Sequence, residues 1–192
     1  MKSHIFRKTF HLIYGFILIL ILYLDNFALQ ILGFLVLIGF ILSLFLKRKK
    51  IPIISFFLSK LGRNFEYPGM GMILFTLGVF LTRLIFNREI TLAATIILTI
   101  IDSMGSVMGL KKGFIILPGF NSKHLEGRIL SVYFSAILIF LVTNFRIIDI
   151  VIICFISIYL ESLDLKFRKY VINDNLLLPI VSGLLFFISS LI

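Results

Sequence analysis

Seven apolar stretches, each close to the length of a membrane-spanning helix, follow one another along almost the whole chain. A helix needs about 20 apolar residues to cross the hydrocarbon core of a bilayer. The stretches are Thr9–Leu24, Phe27–Leu46, Gly69–Phe86, Ile90–Gly109, Leu125–Thr143, Ile147–Leu163 and Leu176–Ile192. Because the connections between them are short, the sequence predicts one all-α membrane helix bundle with about seven transmembrane helices, a single domain over residues 1–192.

The composition supports an integral membrane protein. Of the 192 residues, 60% are hydrophobic and the mean hydropathy is +1.13, which lies far from the values of ordinary soluble domains. The basic start of the chain followed by an apolar stretch is also typical of a secretory signal peptide. No small-residue cleavage site follows Leu24, however, so we expect the first stretch to remain as a span. The single cysteine, Cys154, excludes an internal disulfide and a cysteine-based metal site.

The net charge of +10 is distributed unevenly between the predicted connections. Sixteen of the 19 basic residues fall on one side of the predicted bundle, and only Arg83, Arg88 and Arg146 fall on the other. Cytoplasmic loops of membrane proteins carry such an excess of Lys and Arg. We therefore expect a protein of the cytoplasmic membrane with its N-terminus in the cytosol and its C-terminus outside. Topology and attraction to anionic headgroups explain the charge, so we expect no nucleic-acid partner.

Asp102 is the most informative polar residue, because it lies inside the apolar stretch Leu92–Gly109. A carboxylate at the centre of the hydrocarbon core costs roughly 3 kcal/mol on insertion scales, and such residues are usually functional. Gly105, Ser106 and Gly109 follow on the same helical face, where a backbone, a phosphate or a metal could approach closely. The alternative is a helix-packing groove in which Asp102 is only hydrogen-bonded within the bundle.

The predicted topology places most of the other acidic and histidine residues near the cytosolic side. These are Glu66, Glu126, Glu161, Asp164, Asp174, His4, His11 and His124. A transporter is expected to hold polar groups near the midplane, with access from both sides. The distribution therefore favours a membrane enzyme with an active site that faces the cytosol.

Three polar residues stand at the start of the first stretch. Arg7 and His11 are one helical turn apart and face the same way, and Lys8 is adjacent to Arg7. A histidine in this position could donate to a phosphate or act as a general base. The alternatives are a core histidine with a structural hydrogen bond, and basic residues that only orient the span.

The predicted connection 47–68 contains the apolar segment Ile51–Leu58, which is too short to span and is expected to lie at the membrane interface. It ends at Pro68 and Gly69, where proline and glycine allow an unusual backbone. The N-terminus of the helix that follows would point free N–H groups towards an anion. An ordinary helix-start turn would look the same.

The predicted connection 110–128 combines Lys111, Gly113 and Lys123 with Glu126 and Gly127. Point charges, a flexible backbone and an acid at a helix start could together hold a polyphosphate and a metal ion. A solvated basic loop is the alternative, and the P-loop nucleotide fingerprint is absent from the sequence.

Four motifs occur in a fixed order over nearly the whole chain. They are Arg7-Lys8-Thr9-Phe10-His11 followed by Gly15; Ile101-Asp102-Ser103-Met104-Gly105-Ser106-Val107-Met108-Gly109; Lys123-His124-Leu125-Glu126-Gly127-Arg128; and Glu161 followed by Asp174-Asn175 and Pro179. In order and spacing they resemble the motifs of the CTP-dependent lipid-alcohol kinases, the family of dolichol kinase, phytol kinase and yeast-type diacylglycerol kinase. The chain departs from the family pattern at Ile101, Gly105, His124 and Arg128, and Arg128 could add a phosphate contact.

The resemblance implies transfer of the γ-phosphoryl group of CTP to the hydroxyl of a membrane lipid alcohol, either a polyprenol, another isoprenoid alcohol or diacylglycerol. The products would be a lipid monophosphate and CDP. It also implies Mg²⁺ or another divalent cation, for which Asp102, Asp174 and Glu126 are the candidate ligands. The candidate catalytic residues are Asp102, His11 and Lys123, and either His11 or Asp102 would accept the proton of the alcohol.

The resemblance further implies which residues would contact the nucleotide. These are Arg7, Lys8, Lys111, Gly113, Lys123, Glu126, Gly127 and Asn175. Two other functions remain open at this stage. A CTP:phosphatidate cytidylyltransferase would release pyrophosphate and make a CDP-lipid. A non-catalytic transporter or channel would need a polar stripe along its spans, which their outer halves lack. The sequence leaves the oligomeric state open.

Overall fold

The computed structural model describes residues 2–24, 26–48, 67–112, 125–162, 166–167, 170–171 and 173–191. Within these ranges the helices are α1 (Lys2–Leu24), α2 (Ala28–Arg48), α3 (Met70–Ile85), α4 (Arg88–Lys112), α5 (Leu125–Val142), α6 (Ile147–Ser162) and α7 (Asp174–Ser189). A short antiparallel pair of strands, β1 (Lys166–Phe167) and β2 (Tyr170–Val171), lies between α6 and α7. The predicted all-helical fold is confirmed apart from this pair.

Each helix coincides with one of the predicted apolar stretches. The largest difference is at α1, which begins at Lys2 rather than Thr9. Lysine and arginine are good helix formers, so the basic residues before Thr9 continue the helix although they are not apolar. Helix α4 also extends beyond its predicted end, to Lys112. The predicted interfacial segment Ile51–Leu58 lies outside the described residues.

Local backbone chemistry sets the starts of two helices. Helix α3 follows Gly69, whose φ of 76° lies in the left-handed region that glycine adopts without strain. Gly69 thus uses the backbone freedom that the sequence allows at the Pro68–Gly69 turn. Helix α7 follows Asn173, whose side-chain oxygen accepts a hydrogen bond from the backbone N–H of Asn175 at 3.0 Å.

Helix α4 forms the centre of the bundle. It packs against α1, α3, α5, α6 and α7, and every residue from Ile90 to Ser103 is buried. The hydroxyls of Thr91, Thr95 and Thr99 each donate to the carbonyl four residues earlier, at 2.7 to 2.8 Å. The buried threonines are therefore satisfied within their own helix.

A glycine and a threonine set the distance between α1 and α4, which run antiparallel. A Cβ atom added to Gly15 would lie 2.3 Å from the hydroxyl oxygen of Thr99, so only glycine allows this approach. Near the other end of the interface, Arg88 Nε donates to the carbonyl of Leu22 at 2.6 Å. These contacts set the register that brings the start of α1 beside the second half of α4.

Two helices of the described chain are long and apolar enough to cross a membrane, Ile5–Leu24 within α1 and Ala28–Arg48. Helices α3 and α7 are shorter apolar helices. Large apolar side chains lie on the outside of the bundle, among them Phe34 and Phe40 of α2 with 64% and 50% exposure. Cys154 is buried within α6.

The alternating direction of the helices brings the starts of α1, α3, α5 and α7 to the same end of the bundle as the last turns of α2, α4 and α6. Contacts across helices confirm this arrangement. Ser43 near the end of α2 donates to the carbonyl of Pro68 before α3, at 2.6 Å, and Asn175 in α7 donates to the carbonyl of Gly71 in α3, at 3.1 Å. We call this end of the bundle the charged end and the other the opposite end.

Candidate functional site

A buried ion pair between α1 and α4 lies at the centre of the candidate site. Lys8 Nζ donates a hydrogen bond to Asp102 Oδ1, across 94 positions of sequence. The two side chains are only 7% and 4% exposed. Removing two charges from water costs several kcal/mol per ion, and replacing such a pair with apolar residues is often neutral or stabilising. Packing alone therefore does not account for this pair.

His11 lies one helical turn beyond Lys8 and faces the same carboxylate. Its Nδ1 is 3.9 Å from Asp102 Oδ2, which is too far for a hydrogen bond. This nitrogen is buried and has no hydrogen-bond partner among the described residues, and the side chain is 9% exposed. An imidazole nitrogen without a partner has the chemistry to accept a hydrogen bond or a proton.

Contacts with α3 hold the face of α1 that carries His11 in a fixed orientation. The ring of Phe75 in α3 lies edge-on to His11, with centroids 5.8 Å apart and an interplanar angle of 81°. Phe75 also contacts Tyr14, and the Tyr14 hydroxyl is 2.6 Å from Thr76 Oγ1. Sequence reasoning missed Tyr14, Phe75 and Thr76. The only available signal was that Tyr14 lies three residues after His11, on the same helical face.

The start of α7 adds a further acid to this cluster. Among the described residues, the charges of Asp102, Lys8, Arg7 and Asp174 act on the His11 imidazole. Three helices, α1, α4 and α7, therefore bring charged groups to one imidazole. We refer to Arg7, Lys8, His11, Asp102 and Asp174 as the ionic cluster.

Close packing against α3 holds the start of α7 in place. A Cβ atom on Gly78 of α3 would lie 2.4 Å from the carbonyl oxygen of Asn175. The Asn175 side-chain amide donates to the carbonyl of Gly71. Asn175, which the motif resemblance assigns to nucleotide binding, thus joins α7 to α3 and thereby positions Asp174.

A second buried ion pair lies between α5 and α6 at the same end of the bundle. Arg128 Nη2 is 3.7 Å from Glu161 Oε2, and the side chains are 6% and 5% exposed. Arg128 Nη1 also donates to the carbonyl of Ile158, at 3.4 Å. The sequence suggested a phosphate contact for Arg128, whereas in the structure its guanidinium contacts α6. Nothing in the sequence pairs Arg128 with Glu161.

The remaining predicted residues are distributed as follows. Glu126 and Gly127 lie in the first turn of α5, partly buried and buried respectively, next in sequence to Arg128. Lys111 lies in the last turn of α4. Gly113 and Lys123 lie outside the described residues, together with most of the predicted polyphosphate loop. The structure thus brings together the candidates on α1, α4 and α7, and places Glu126 beside a separate ion pair.

The chemistry of the ionic cluster is compatible with a magnesium ion. In the part of the chain that the structure describes, no three His, Cys, Asp or Glu side chains are grouped as a protein-only metal site. Magnesium is usually held by one or two carboxylates, with phosphate and water oxygens as its other ligands. Asp102 and Asp174 are the two acids whose charges act on His11 and are therefore the first candidates for such a pair of carboxylates.

Comparisons with protein-family models, with curated proteins and with solved structures give no match to this chain.

Proposed function

We propose that this protein is a membrane lipid-alcohol kinase. It transfers the γ-phosphoryl group of CTP to the hydroxyl of a polyprenol, another isoprenoid alcohol or diacylglycerol, and releases CDP and a lipid monophosphate. One observation carries the proposal: Lys8 and His11 of the first motif and Asp102 of the second meet in one buried cluster, although some 90 residues separate them. The resemblance of the four motifs supplies the type of reaction.

In this proposal all seven helices cross the cytoplasmic membrane, with the charged end in the cytosol, the N-terminus inside and the C-terminus outside. Two features support it. Large apolar side chains are exposed on the outside of the bundle, as expected for a surface in contact with lipid. Arg83, Arg88 and Arg146, the few basic residues predicted to lie outside the cell, are found towards the opposite end, at or near the connections there.

The ionic cluster supplies the groups that the reaction requires. Phosphoryl transfer depends mainly on positioning and on neutralisation of charge. The hydroxyl oxygen of the acceptor bonds to the γ-phosphorus, the bond from that phosphorus to the β–γ bridging oxygen breaks, and CDP leaves. Asp102 Oδ1 is already bonded to Lys8, so His11 Nδ1 is the better acceptor for the hydroxyl proton. The Asp102 carboxylate then stabilises the imidazolium.

The basic residues at the start of α1 would hold the phosphates. Arg7 and Lys8 lie beside His11 and would neutralise the β- and γ-phosphates, with help from Lys111 and Lys123. Asp102 and Asp174, or Glu126 in place of one of them, would hold a divalent cation, which when bound neutralises further phosphate charge. The lipid acceptor would reach this cluster from the side, because its hydrocarbon chain stays in the bilayer.

A product assay tests the proposal. The purified protein is given γ-labelled CTP, ATP or GTP with polyprenols, short isoprenoid alcohols or diacylglycerol, and labelled lipid phosphate is measured. Labelled lipid phosphate from CTP is the expected result. In a parallel reaction with CTP and phosphatidate, formation of a CDP-lipid and release of labelled pyrophosphate would instead identify a cytidylyltransferase. Solute flux across vesicle membranes without nucleotide turnover would instead identify a transporter.

The role of His11 has its own test. The variant His11→Gln keeps the size and polarity of the side chain but cannot accept the proton, so transfer should fall by about a hundredfold or more. Tyr133, which is 61% exposed on α5, provides a control, because Tyr133→Phe should leave the rate unchanged. A His11→Gln protein with the wild-type rate and an unchanged pH profile would exclude His11 as the proton acceptor.

A further inference from the structure

An apolar groove with a volume of about 350 Å³ lies between α2 and α3. Val36, Leu37 and Phe40 of α2 form one wall, and Ile73, Leu77 and Phe80 of α3 form the other. All of its lining residues are apolar or glycine. Such a groove on the outside of a membrane protein has the size and chemistry to hold a hydrocarbon chain.

The groove is separate from the ionic cluster. Phe75 on α3 contacts His11 and Tyr14 of α1, whereas Ile73 and Leu77, two residues away on either side, line the groove. Residues two apart on a helix point in nearly opposite directions. Helix α3 therefore lies between the groove and His11, and a chain in the groove does not belong to an acceptor in its reacting position.

The groove has a basic group near its charged end. Lys47, in the last turn of α2, lies with its Nζ 3.9 Å from the centroid of the Tyr67 ring. Tyr67 is three residues before Met70, which lines the groove and begins α3. The start of a helix carries a partial positive charge that adds to the charge of the lysine. An apolar groove that ends beside a cation complements a lipid with an anionic headgroup.

We propose that the groove between α2 and α3 binds one acyl chain of a bilayer phospholipid with an anionic headgroup, whose phosphate lies next to Lys47. This site rests on the membrane location proposed above but not on the kinase reaction. One basic residue near a headgroup should favour an anionic lipid over a zwitterionic one roughly fivefold.

Competitive lipid binding tests this proposal without nucleotide. Detergent-purified protein is mixed with equal amounts of phosphatidylglycerol and phosphatidylcholine, and the bound lipids are counted by native mass spectrometry. Wild-type protein should retain phosphatidylglycerol roughly fivefold in excess, and Lys47→Gln should clearly lower the ratio, with Arg48 of the same turn still present. Arg146→Gln, which removes a charge at the opposite end, should leave the ratio unchanged. Equal retention by wild-type protein, or an unchanged preference in Lys47→Gln, would overturn the proposal.

Filling the groove supplies the second arm of the experiment. Leu77→Trp on α3 and Ile41→Trp on α2 fill it from opposite walls, and each variant that folds should lose both lipids. Leu84→Trp, at a 59% exposed position outside the groove, is the matched control and should retain them.

Folded groove variants that still retain lipid would contradict the proposal. A wild-type dimer that dissociates when Leu77 is replaced by Trp would also contradict the proposal, because the groove would then bind a second copy of the chain. Lipid preference with no kinase activity would exclude only the kinase.

Discussion

The two ends of the bundle hold their charged residues in different ways. At the charged end, Lys8 and Asp102 form a pair across two helices in a place that water hardly reaches. At the opposite end, Arg146 and Asp149 are three residues apart at the start of α6, with 2.7 Å between Nε and Oδ2, and the Arg146 side chain is 63% exposed. The first pair depends on the tertiary fold, whereas the second forms within a single turn.

Other polar side chains at the opposite end form hydrogen bonds with backbone groups. The side-chain oxygen of Asn87 accepts from the N–H of Ile90 at 2.9 Å and caps the start of α4. The Glu89 carboxylate accepts from the backbone N–H of Asn144 in the connection between α5 and α6. These hydrogen bonds stabilise turns and cost little free energy. Buried charges at the charged end are expensive, and groups with such surroundings cluster at functional sites.

The largest effect should follow from Asp102→Asn. This change removes the charge that stabilises a protonated His11 and one candidate ligand of the divalent cation, so transfer to the lipid alcohol should fall between about a hundredfold and ten-thousandfold. The readout is labelled lipid phosphate from protein that still elutes as a single folded species. Asp149→Asn at the opposite end should keep the wild-type rate. Comparable activity in both variants would show that the two ends of the bundle do not differ in function.

Glu161→Gln should produce the largest loss of stability. It removes the carboxylate charge that lies 3.7 Å from the buried guanidinium of Arg128, and removing one partner of a buried ion pair costs about 3–5 kcal/mol. Thermal unfolding in detergent should show a clearly lower melting temperature. Replacing both residues by methionine should restore much of the loss. If the double variant is no more stable than Glu161→Gln, the two side chains are not energetically coupled.

Gly15→Ala should have a smaller effect on stability but should also affect activity. The added methyl group would lie 2.3 Å from Thr99 Oγ1, so α1 has to move away from α4, at a cost of about 1–3 kcal/mol. The same movement would separate Lys8 from Asp102 and reduce transfer. Gly33→Ala provides the control, since its Cβ would meet only the ring of Phe80, at 3.2 Å. Equal effects of the two changes would show that the α1–α4 distance is not critical.

Arg146→Gln should have the smallest effect. Its partner Asp149 is close by in the same turn, and exposed pairs of this kind are screened by water and salt. The melting temperature and the transfer rate should both match those of the wild-type protein. A melting temperature lowered as much as by Glu161→Gln would show that the opposite end depends on its charges as strongly as the charged end.

The helices were predictable because the bilayer-length apolar stretches mark them directly. The start of α1 was harder to predict, because Lys2, Arg7 and Lys8 interrupt the apolar pattern without interrupting the helix. The strands β1 and β2 escaped prediction because two residues per strand are too few for an alternating pattern.

Sequence reasoning named Lys8, His11 and Asp102, which the structure brings together, but it did not name the pairs that they form. Helical spacing placed Arg7 and His11 on one face with Lys8 adjacent, and the apolar stretch around Asp102 singled out that acid. That Lys8 bonds to Asp102 depends on the register between α1 and α4, which is set by the contact between Gly15 and Thr99. A single sequence contains no signal for such a distant contact, and the pairing of Arg128 with Glu161 was missed for the same reason.

The central position of α4 has a consequence for how the chain is assembled. In a membrane, this helix would enter the bilayer with a carboxylate and a row of threonines, and on its own it would be a poor span. Helix α1 precedes it in synthesis and already carries the lysine that compensates Asp102. In a membrane, the order of the helices along the chain would therefore put the counter-charge in place before the acid, and α5 to α7 would then enclose a helix that is already neutralised.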